Sequence, residues 1–167
     1  MGEVAKMVQA NQAFVEGFDE GDLEIPPARG VVVLTCIDGR IDPARVLGID
    51  IGDAHVVRNA GGRASDDAIR SLTISSWLLG TREFVVIHHT DCGMMKFTDD
   101  ALRQKIEDEK GVDVGKTDFL TFADLDQSVR DDVETIRALD SLPDGVEVSG
   151  YVYDVRTGRL REVVPAG

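Results

Sequence analysis

Apolar and polar positions follow two distinct patterns along this chain. Short runs of mainly β-branched residues, such as 30–35 and 84–88, have almost no polar interruption, which is typical of parallel strands buried on both faces. Between them lie segments in which apolar residues recur every three or four positions, the spacing of an amphipathic helix. The predicted strands are 30–35, 55–58, 84–88, 146–155 and 159–164, and the predicted helices are 4–18, 43–48, 65–80, 98–110 and 122–139.

The order of these elements predicts the fold class. Strands that alternate with helices favour an α/β fold with a mostly parallel central β-sheet flanked by helices. The last two strands are joined through Thr157 and Gly158, and they predict a C-terminal antiparallel edge hairpin. No repeat or linker divides the 167 residues, so we predict one domain over 1–167 whose first 29 residues form a helical arm.

The charge balance excludes two classes of partner. The chain has 31 acidic and 18 basic residues, a formal net charge of −13. Binding to the phosphates of DNA or RNA and binding to anionic membrane surfaces both need clustered positive charge, so we expect no nucleic-acid and no membrane partner. The first residues show no secretory leader, and no apolar run approaches the ~20 residues that span a bilayer, so we predict a cytoplasmic protein.

Three polar motifs follow the predicted strands directly. They are Cys-Ile-Asp-Gly-Arg at 36–40, Arg-Asn-Ala-Gly at 58–61 and His-Thr-Asp-Cys-Gly at 89–93. Ligands of open parallel sheets bind in the crevice outside the carboxyl ends of the strands. A helical crossover separates the strands that precede Cys36 and His89, so we expect these two strands to be neighbours and their motifs to form one site.

Cys36, His89 and Cys92 together offer two thiolates and one imidazole, a ligand set suited to zinc. Three protein ligands leave the fourth tetrahedral position open, which is typical of a catalytic rather than a structural zinc site. Taken singly, the two cysteines are also compatible with ordinary buried thiols or with an intramolecular disulfide. They are too few for a disulfide-stapled secreted scaffold.

Asp38 and Arg40 stand at alternate positions of one segment, so their side chains share a face and can form a bidentate ion pair. Paired in this way, Asp38 stays ionised and accepts a hydrogen bond from a nucleophile at the metal. Two other interpretations stay open at this point. Unpaired, the carboxylate can fill the open metal position itself, and the pair can also be purely structural.

The three motifs, with Tyr-Asp-Val-Arg-Thr-Gly at 153–158, resemble the β-class carbonic anhydrases, and the compact length is similar to a bacterial and archaeal subgroup. The resemblance implies one Zn²⁺ per chain on Cys36, His89 and Cys92, with Asp38 and Arg40 as the catalytic dyad. It implies reversible hydration of CO2 to bicarbonate and a proton. It also implies a homodimer, or a dimer of dimers, in which the N-terminal arm packs on the partner. Substrate-binding residues remain unassigned.

Two positions differ from common members of that family. His88 precedes the ligand histidine where many members have glycine, and Gly39 stands where members with an inhibitory bicarbonate site have tryptophan. We expect His88 and His55 to be core or interface residues rather than proton shuttles. We expect Arg58 to buttress the site or the dimer, and Trp77 to lie in the core or a pocket wall.

Three other functions are compatible with parts of the pattern. Hydrolysis of carbonyl sulfide or carbon disulfide uses the same zinc set in some relatives of the resembled family. A non-catalytic zinc-binding module is disfavoured by the intact dyad of Asp38 and Arg40. A cysteine phosphatase or rhodanese needs an arginine six positions after Cys36, where this chain has Asp42.

Overall fold

A computed structural model describes residues 2–167, and its elements follow the predicted order. The helices are α1 (Glu3–Val15), α2 (Pro43–Leu47), α3 (Asp66–Leu79), α4 (Asp99–Lys110) and α5 (Leu125–Arg137). The strands are β1 (Val31–Cys36), β2 (Ala54–Asn59), β3 (Glu83–His89), β4 (Glu147–Tyr153) and β5 (Leu160–Val164). Two single 3₁₀ turns, Ala60–Gly62 and Gly93–Met95, follow β2 and β3.

The strands form one sheet in the order β2-β1-β3-β4-β5. The first four are parallel and β5 runs antiparallel to β4, so the predicted mostly parallel sheet with an antiparallel C-terminal edge is confirmed. From β1 the chain continues outward to β2 on one side and later returns to β3 on the other. The order therefore reverses between β1 and β3, and the crevice at their carboxyl ends is the expected ligand position in such a sheet.

The core lies on both faces of the sheet. On one face, α3 and α5 pack against the strands through aliphatic side chains and one phenylalanine, among them Leu34, Leu72, Phe84, Val129 and Ile136. Gly150 lets α5 approach β4 closely, because a Cβ there would lie 2.5 Å from Val129 Cγ1. The other face carries a smaller cluster that includes both cysteines, so the core itself supports the carboxyl-end crevice.

Local capping chemistry explains where several helices begin. Pro43 occupies the first turn of α2 behind the cap Asp42, and Ser65 caps α3 by accepting from the Ala68 N–H, as the sequence predicts. Helix α5 begins later than predicted, at Leu125 instead of 122. Its cap, Asp124, accepts the N–H of Gln127 and fixes the start there.

Two apolar features of the surface are exposed, the stripe of α1 and the side chain of Trp77. Within the described residues 2–167, no residue of α1 is buried, although its apolar stripe is clear in the sequence. The prediction for Trp77 is wrong, because its side chain is exposed on α3, where Nε1 donates to the Ser141 carbonyl at 2.7 Å. Among these same residues, no helix combines the length and apolarity needed to cross a membrane.

Candidate active site

The three candidate metal ligands converge at the carboxyl ends of β1 and β3. Cys36 is the last residue of β1, His89 is the last residue of β3, and Cys92 follows three residues later. Their ligand atoms all lie within 4.8 Å of one another, and all three residues are buried. The predicted pairing of β1 with β3 is thus confirmed, and it brings together residues that are 53 positions apart in sequence.

The imidazole of His89 is arranged as a ligand. Its Nδ1 donates to the Thr90 carbonyl at 2.9 Å, so the other ring nitrogen, Nε2, presents its lone pair to the two cysteines. Among the buried side-chain nitrogen and oxygen atoms of residues 2–167, this Nε2 is the one that has no hydrogen-bond partner. Leaving such an atom unsatisfied costs about 1–3 kcal/mol, so the donor set fits a bound metal ion.

The two thiols differ in their protonation. The hydrogen bond from Cys92 lowers the pKa of Cys36 well below that of a free thiol, and the same contact raises the pKa of Cys92. The backbone N–H of Gly61 also donates to Cys36 Sγ at 3.3 Å. Cys36 is therefore held as a thiolate, the form in which cysteine binds metals.

The turn Ala60–Gly62 that carries this donor depends on glycine. Gly62 has a φ of +72°, and a Cβ there would lie 2.9 Å from the backbone carbon of Thr35 and 3.0 Å from the nitrogen of Cys36. Since these neighbours are backbone atoms, they cannot move aside by changing rotamer. The Gly61-Gly62 pair therefore provides close packing of the turn against β1.

Asp38 and Arg40 form the bidentate pair that their spacing predicts. Asp38 Oδ1 accepts from Arg40 Nε at 3.0 Å, and Oδ2 accepts from Nη2 at 2.7 Å. Hydrogen bonding to the guanidinium holds the pKa of Asp38 far below its usual range. Asp38 Oδ2 also lies 3.8 Å from His89 Nε2, so an ionised carboxylate borders the ligand cluster.

Arg40 is held from its other side by Asp91, a residue that the sequence reasoning missed. Arg40 Nη1 donates to Asp91 Oδ2 at 2.9 Å, and Nη2 donates to the Asp91 carbonyl at 3.0 Å. Lys96 pairs with the remaining carboxylate oxygen at 2.9 Å. Asp91 has a φ of +53°, which is uncommon for a residue other than glycine. In the sequence, only its position between the candidate ligands His89 and Cys92 could have indicated a role for Asp91 in the site.

Arg58 buttresses the first motif from β2. Its Nε donates to the Cys36 carbonyl at 2.9 Å, and its Nη2 donates to the Asp38 carbonyl at 2.8 Å. Both acceptors belong to the backbone, so Arg58 fixes the path of the chain between the candidate ligand and the candidate dyad. This is the supporting role that the sequence analysis expects for it.

A small cavity of about 250 Å³ opens onto the cluster. Its lining is mostly apolar and consists of Cys36, Ile37, Asp38, Ala60, Gly61, Cys92, Gly93, Met94 and Phe97. An apolar wall beside one carboxylate favours a small uncharged ligand over a large or anionic one. The site can therefore present an activated nucleophile to a small electrophile.

The two further histidines have structural contacts. His88 is fully buried, and its Nδ1 lies 2.7 Å from Ser128 Oγ. His55 is partly buried on β2, and its Nδ1 lies 2.7 Å from Ser75 Oγ. His88 is a core residue, as expected.

Comparisons with known proteins agree with this geometry. The sequence profile of the family described as carbonic anhydrase matches residues 31–160. β-Carbonic anhydrase 1 of Mycobacterium tuberculosis is 43% identical over 155 residues, which cover 93% of this chain and 94% of the relative. Carbon disulfide hydrolase of Saccharolobus solfataricus is 38% identical, over 83% of this chain and 79% of the relative. The crystal structure of carbonic anhydrase from Streptococcus mutans is similar with a TM-score of 0.94 and 44% identity, over 98% of each chain.

Proposed function

This chain belongs to the β-class carbonic anhydrase family, and we propose that it catalyses the reversible hydration of CO2 to bicarbonate and a proton. The observation that carries the proposal is the convergence of three ligand atoms, two cysteine sulfurs and one histidine nitrogen, within 4.8 Å of one another. The nitrogen is the buried Nε2 of His89, which has no hydrogen-bond partner and faces the two sulfurs. The small apolar cavity beside them suits an uncharged linear substrate.

Cys36, His89 and Cys92 hold one zinc ion per chain in this proposal. Two thiolates and one imidazole match the ligand preferences of zinc, and three protein ligands leave a position for water or substrate. When bound, zinc supplies Lewis-acid chemistry that activates water for attack on carbon. Neither cysteine is in a disulfide bond, which fits the reducing cytoplasm where we propose that the enzyme works.

Asp38 and Arg40 orient the nucleophile. Arg40 donates to both carboxylate oxygens of Asp38, so the carboxylate is ionised and fixed in direction. An ionised Asp38 only accepts hydrogen bonds. It accepts a hydrogen bond from the attacking water, so that a lone pair of the water oxygen faces the CO2 carbon. Arg40 keeps the Asp38 carboxylate from rotating. Asp91 in turn holds Arg40, and Arg58 holds the backbone of the loop at Asp38.

Hydrolysis of carbon disulfide or carbonyl sulfide is the alternative function. One observation favours it, the 38% identity to a relative named carbon disulfide hydrolase. CO2, carbonyl sulfide and carbon disulfide are all small linear electrophiles, so the same residues serve each of them. We expect access to the cavity and the assembly of the chains to decide among these substrates.

The deciding experiment is stopped-flow CO2 hydration by the zinc-loaded protein between pH 7 and 9, with carbon disulfide and carbonyl sulfide offered to the same preparation. We expect CO2 hydration well above the buffer rate. Hydrolysis of the sulfur substrates without CO2 hydration would establish the alternative. No turnover of any of them, in protein shown to hold zinc, would refute both enzymatic proposals.

We propose further that the chain assembles as a homodimer or a dimer of dimers, with the arm 1–29 packing on the partner. The apolar side chains of α1 support this, since Met7 is 67% and Val8 60% exposed. A groove of about 480 Å³ between β2 and α3 offers a complementary apolar surface, which includes Val56 and Ile74.

Sedimentation velocity tests this assembly with a matched pair of variants. Met7→Glu places a charge in the apolar stripe of α1, and it should shift the protein to a smaller species. Gln9→Glu places the same carboxylate on the opposite face of α1, where Gln9 is exposed, and it should leave the assembly intact. An assembly that survives Met7→Glu unchanged would refute the arm as the contact.

A further inference from the structure

A buried polar cluster lies behind the proposed zinc site. His88, Arg63 and Asp132 form it, and their side chains are only 0%, 12% and 5% exposed. Neighbouring residues of a strand point to opposite faces, so His88 faces α5 while His89 faces the cysteines. Burying charged groups is unfavourable unless they are paired, and a buried pair is weak evidence for stability alone. The contacts of this cluster connect it to the nearby site.

Asp132, on α5, is the centre of the cluster. Its Oδ2 accepts from Arg63 Nε at 2.7 Å, and its Oδ1 accepts from Nη2 at 3.2 Å. Burial raises the pKa of Asp132, but hydrogen bonds from His88 and then Arg63 lower it by more, so the carboxylate is ionised. The remaining arm of Arg63, Nη1, donates to the Leu120 carbonyl at 2.9 Å. Each of the three guanidinium nitrogens of Arg63 thus has a hydrogen-bond acceptor.

The contacts of His88 place a proton on its Nε2 atom. Nε2 is 3.0 Å from Asp132 Oδ2 and 3.2 Å from the Gly62 carbonyl. A carboxylate and a carbonyl only accept, so Nε2 must carry a proton and donate to them. Ser128 Oγ holds the opposite nitrogen, Nδ1, at 2.7 Å. The ring is locked from both ends and directs a donor at Gly62.

The turn Ala60–Gly62 is consequently held at its C-terminal end by this cluster. His88 fixes the Gly62 carbonyl, and Asn59 fixes the next residue, since the Arg63 N–H donates to Asn59 Oδ1 at 2.7 Å. The same turn carries the Gly61 N–H that donates to Cys36 Sγ at 3.3 Å. A displacement of the turn therefore changes the hydrogen bond to a metal ligand.

We propose that Asp132 is a positioning residue of the metal centre: through Arg63 and His88 it fixes the turn whose Gly61 N–H donates to Cys36 Sγ. The inference rests on the proposed zinc site and extends it to α5, which contributes no ligand. Hydrogen bonds to a ligand atom set its orientation and its donor strength toward the metal, and loss of such support commonly weakens metal binding 10–100-fold.

Asp132→Asn tests the proposal, with Asp131→Asn as its matched control. The amide has nearly the same volume as the carboxylate, but it has one accepting oxygen in place of two for the fork of Arg63. Asp131 is the preceding residue of α5 and is exposed, and its side chain accepts from Gln127. We expect Asp132→Asn to lower zinc affinity about 10-fold in competition with a chelator, and Asp131→Asn to leave it unchanged.

The absorption of the cobalt-substituted protein gives a second measurement that general destabilisation does not move. The thiolate-to-cobalt charge-transfer band reports the donor strength of the cysteine sulfurs, and we expect it to shift in folded Asp132→Asn and to stay in place in Asp131→Asn. Unchanged zinc affinity and an unchanged band in Asp132→Asn would overturn the proposal. Failure of the wild-type protein to bind zinc would instead refute the proposed function.

Ser128→Ala keeps the test valid if Asp132→Asn does not fold. It removes the partner of His88 Nδ1 while the pair of Asp132 and Arg63 remains, and alanine is a good helix former. We expect a smaller loss of zinc affinity than in Asp132→Asn, with a band shift in the same direction. Wild-type affinity and a wild-type band in this variant would overturn the proposal.

Discussion

Gly62→Ala is the substitution whose effect the structure defines most closely. The backbone of Gly62 has a φ of +72°, and a new Cβ would meet the backbone carbon of Thr35 at 2.9 Å and the nitrogen of Cys36 at 3.0 Å. The methyl group therefore has to displace either its own turn or the end of β1. Because Cys36 is a candidate ligand, we expect this variant to lose both stability and metal affinity.

The expected loss of stability has two parts. Holding alanine in the left-handed region costs about 1–2 kcal/mol relative to glycine. Overpacking against a rigid neighbour adds about 1–3 kcal/mol. The sum is roughly 2–5 kcal/mol, a large fraction of the 5–15 kcal/mol that is typical of a folded domain. Gly80→Ala separates the two parts, because it has the backbone cost without the overpacking. Gly80 has a φ of +74°, and apart from its chain neighbours no atom of residues 2–167 lies within 4 Å of the position of the new methyl group.

The assay is urea unfolding of each zinc-loaded variant at one fixed zinc concentration, followed by chelator competition on the folded protein. Gly80→Ala should lose only about 1–2 kcal/mol and keep its zinc affinity. Coincident unfolding curves for the two variants would refute the steric reasoning. Greater destabilisation of Gly62→Ala with wild-type zinc affinity would refute the connection between the turn and the metal site.

Two further predictions concern the proposed chemistry. Cys36→Ser should lose most of its zinc. Asp38→Asn should keep zinc and lose about 100-fold in the rate of CO2 hydration, because only the orienting carboxylate is removed. Zinc analysis and stopped-flow rates distinguish the two variants, and equal zinc loss in both would make Asp38 a ligand. Asp91→Asn should retain zinc and lower the hydration rate about 10-fold, because a neutral amide holds Arg40 less firmly. Zinc loss in that variant would mean that Asp91 supports the ligand turn instead.

The individual elements and the chemistry of the ligands were predictable from local sequence. An uninterrupted β-branched run predicts a buried strand because the strand must present apolar groups to both faces, and β1 and β3 fulfil this. Ser65 and Asp42 indicate helix starts because their oxygens satisfy N–H groups only a few residues away. The pair of Asp38 and Arg40 was also predictable, since two residues of separation suffice to bring the groups together.

Contacts between distant elements were not predictable in the same way. Asp132 is, in the sequence, one more acidic residue of a charged helix, yet it is buried and bound to Arg63, 69 positions earlier. Trp77 has the spacing of a core residue but lies exposed, because helical periodicity gives the spacing of a face and not what covers it.

The sequence by itself therefore determined the elements, the fold class and the identity of the candidate ligands, because periodicity, capping and ligand chemistry act within a few residues. Only the tertiary structure decided that α5 lies behind the metal site and that Asp91 holds Arg40. These contacts depend on the order and register of the strands, since the pairing of β1 with β3 fixes which loops meet, and no local pattern specifies that order.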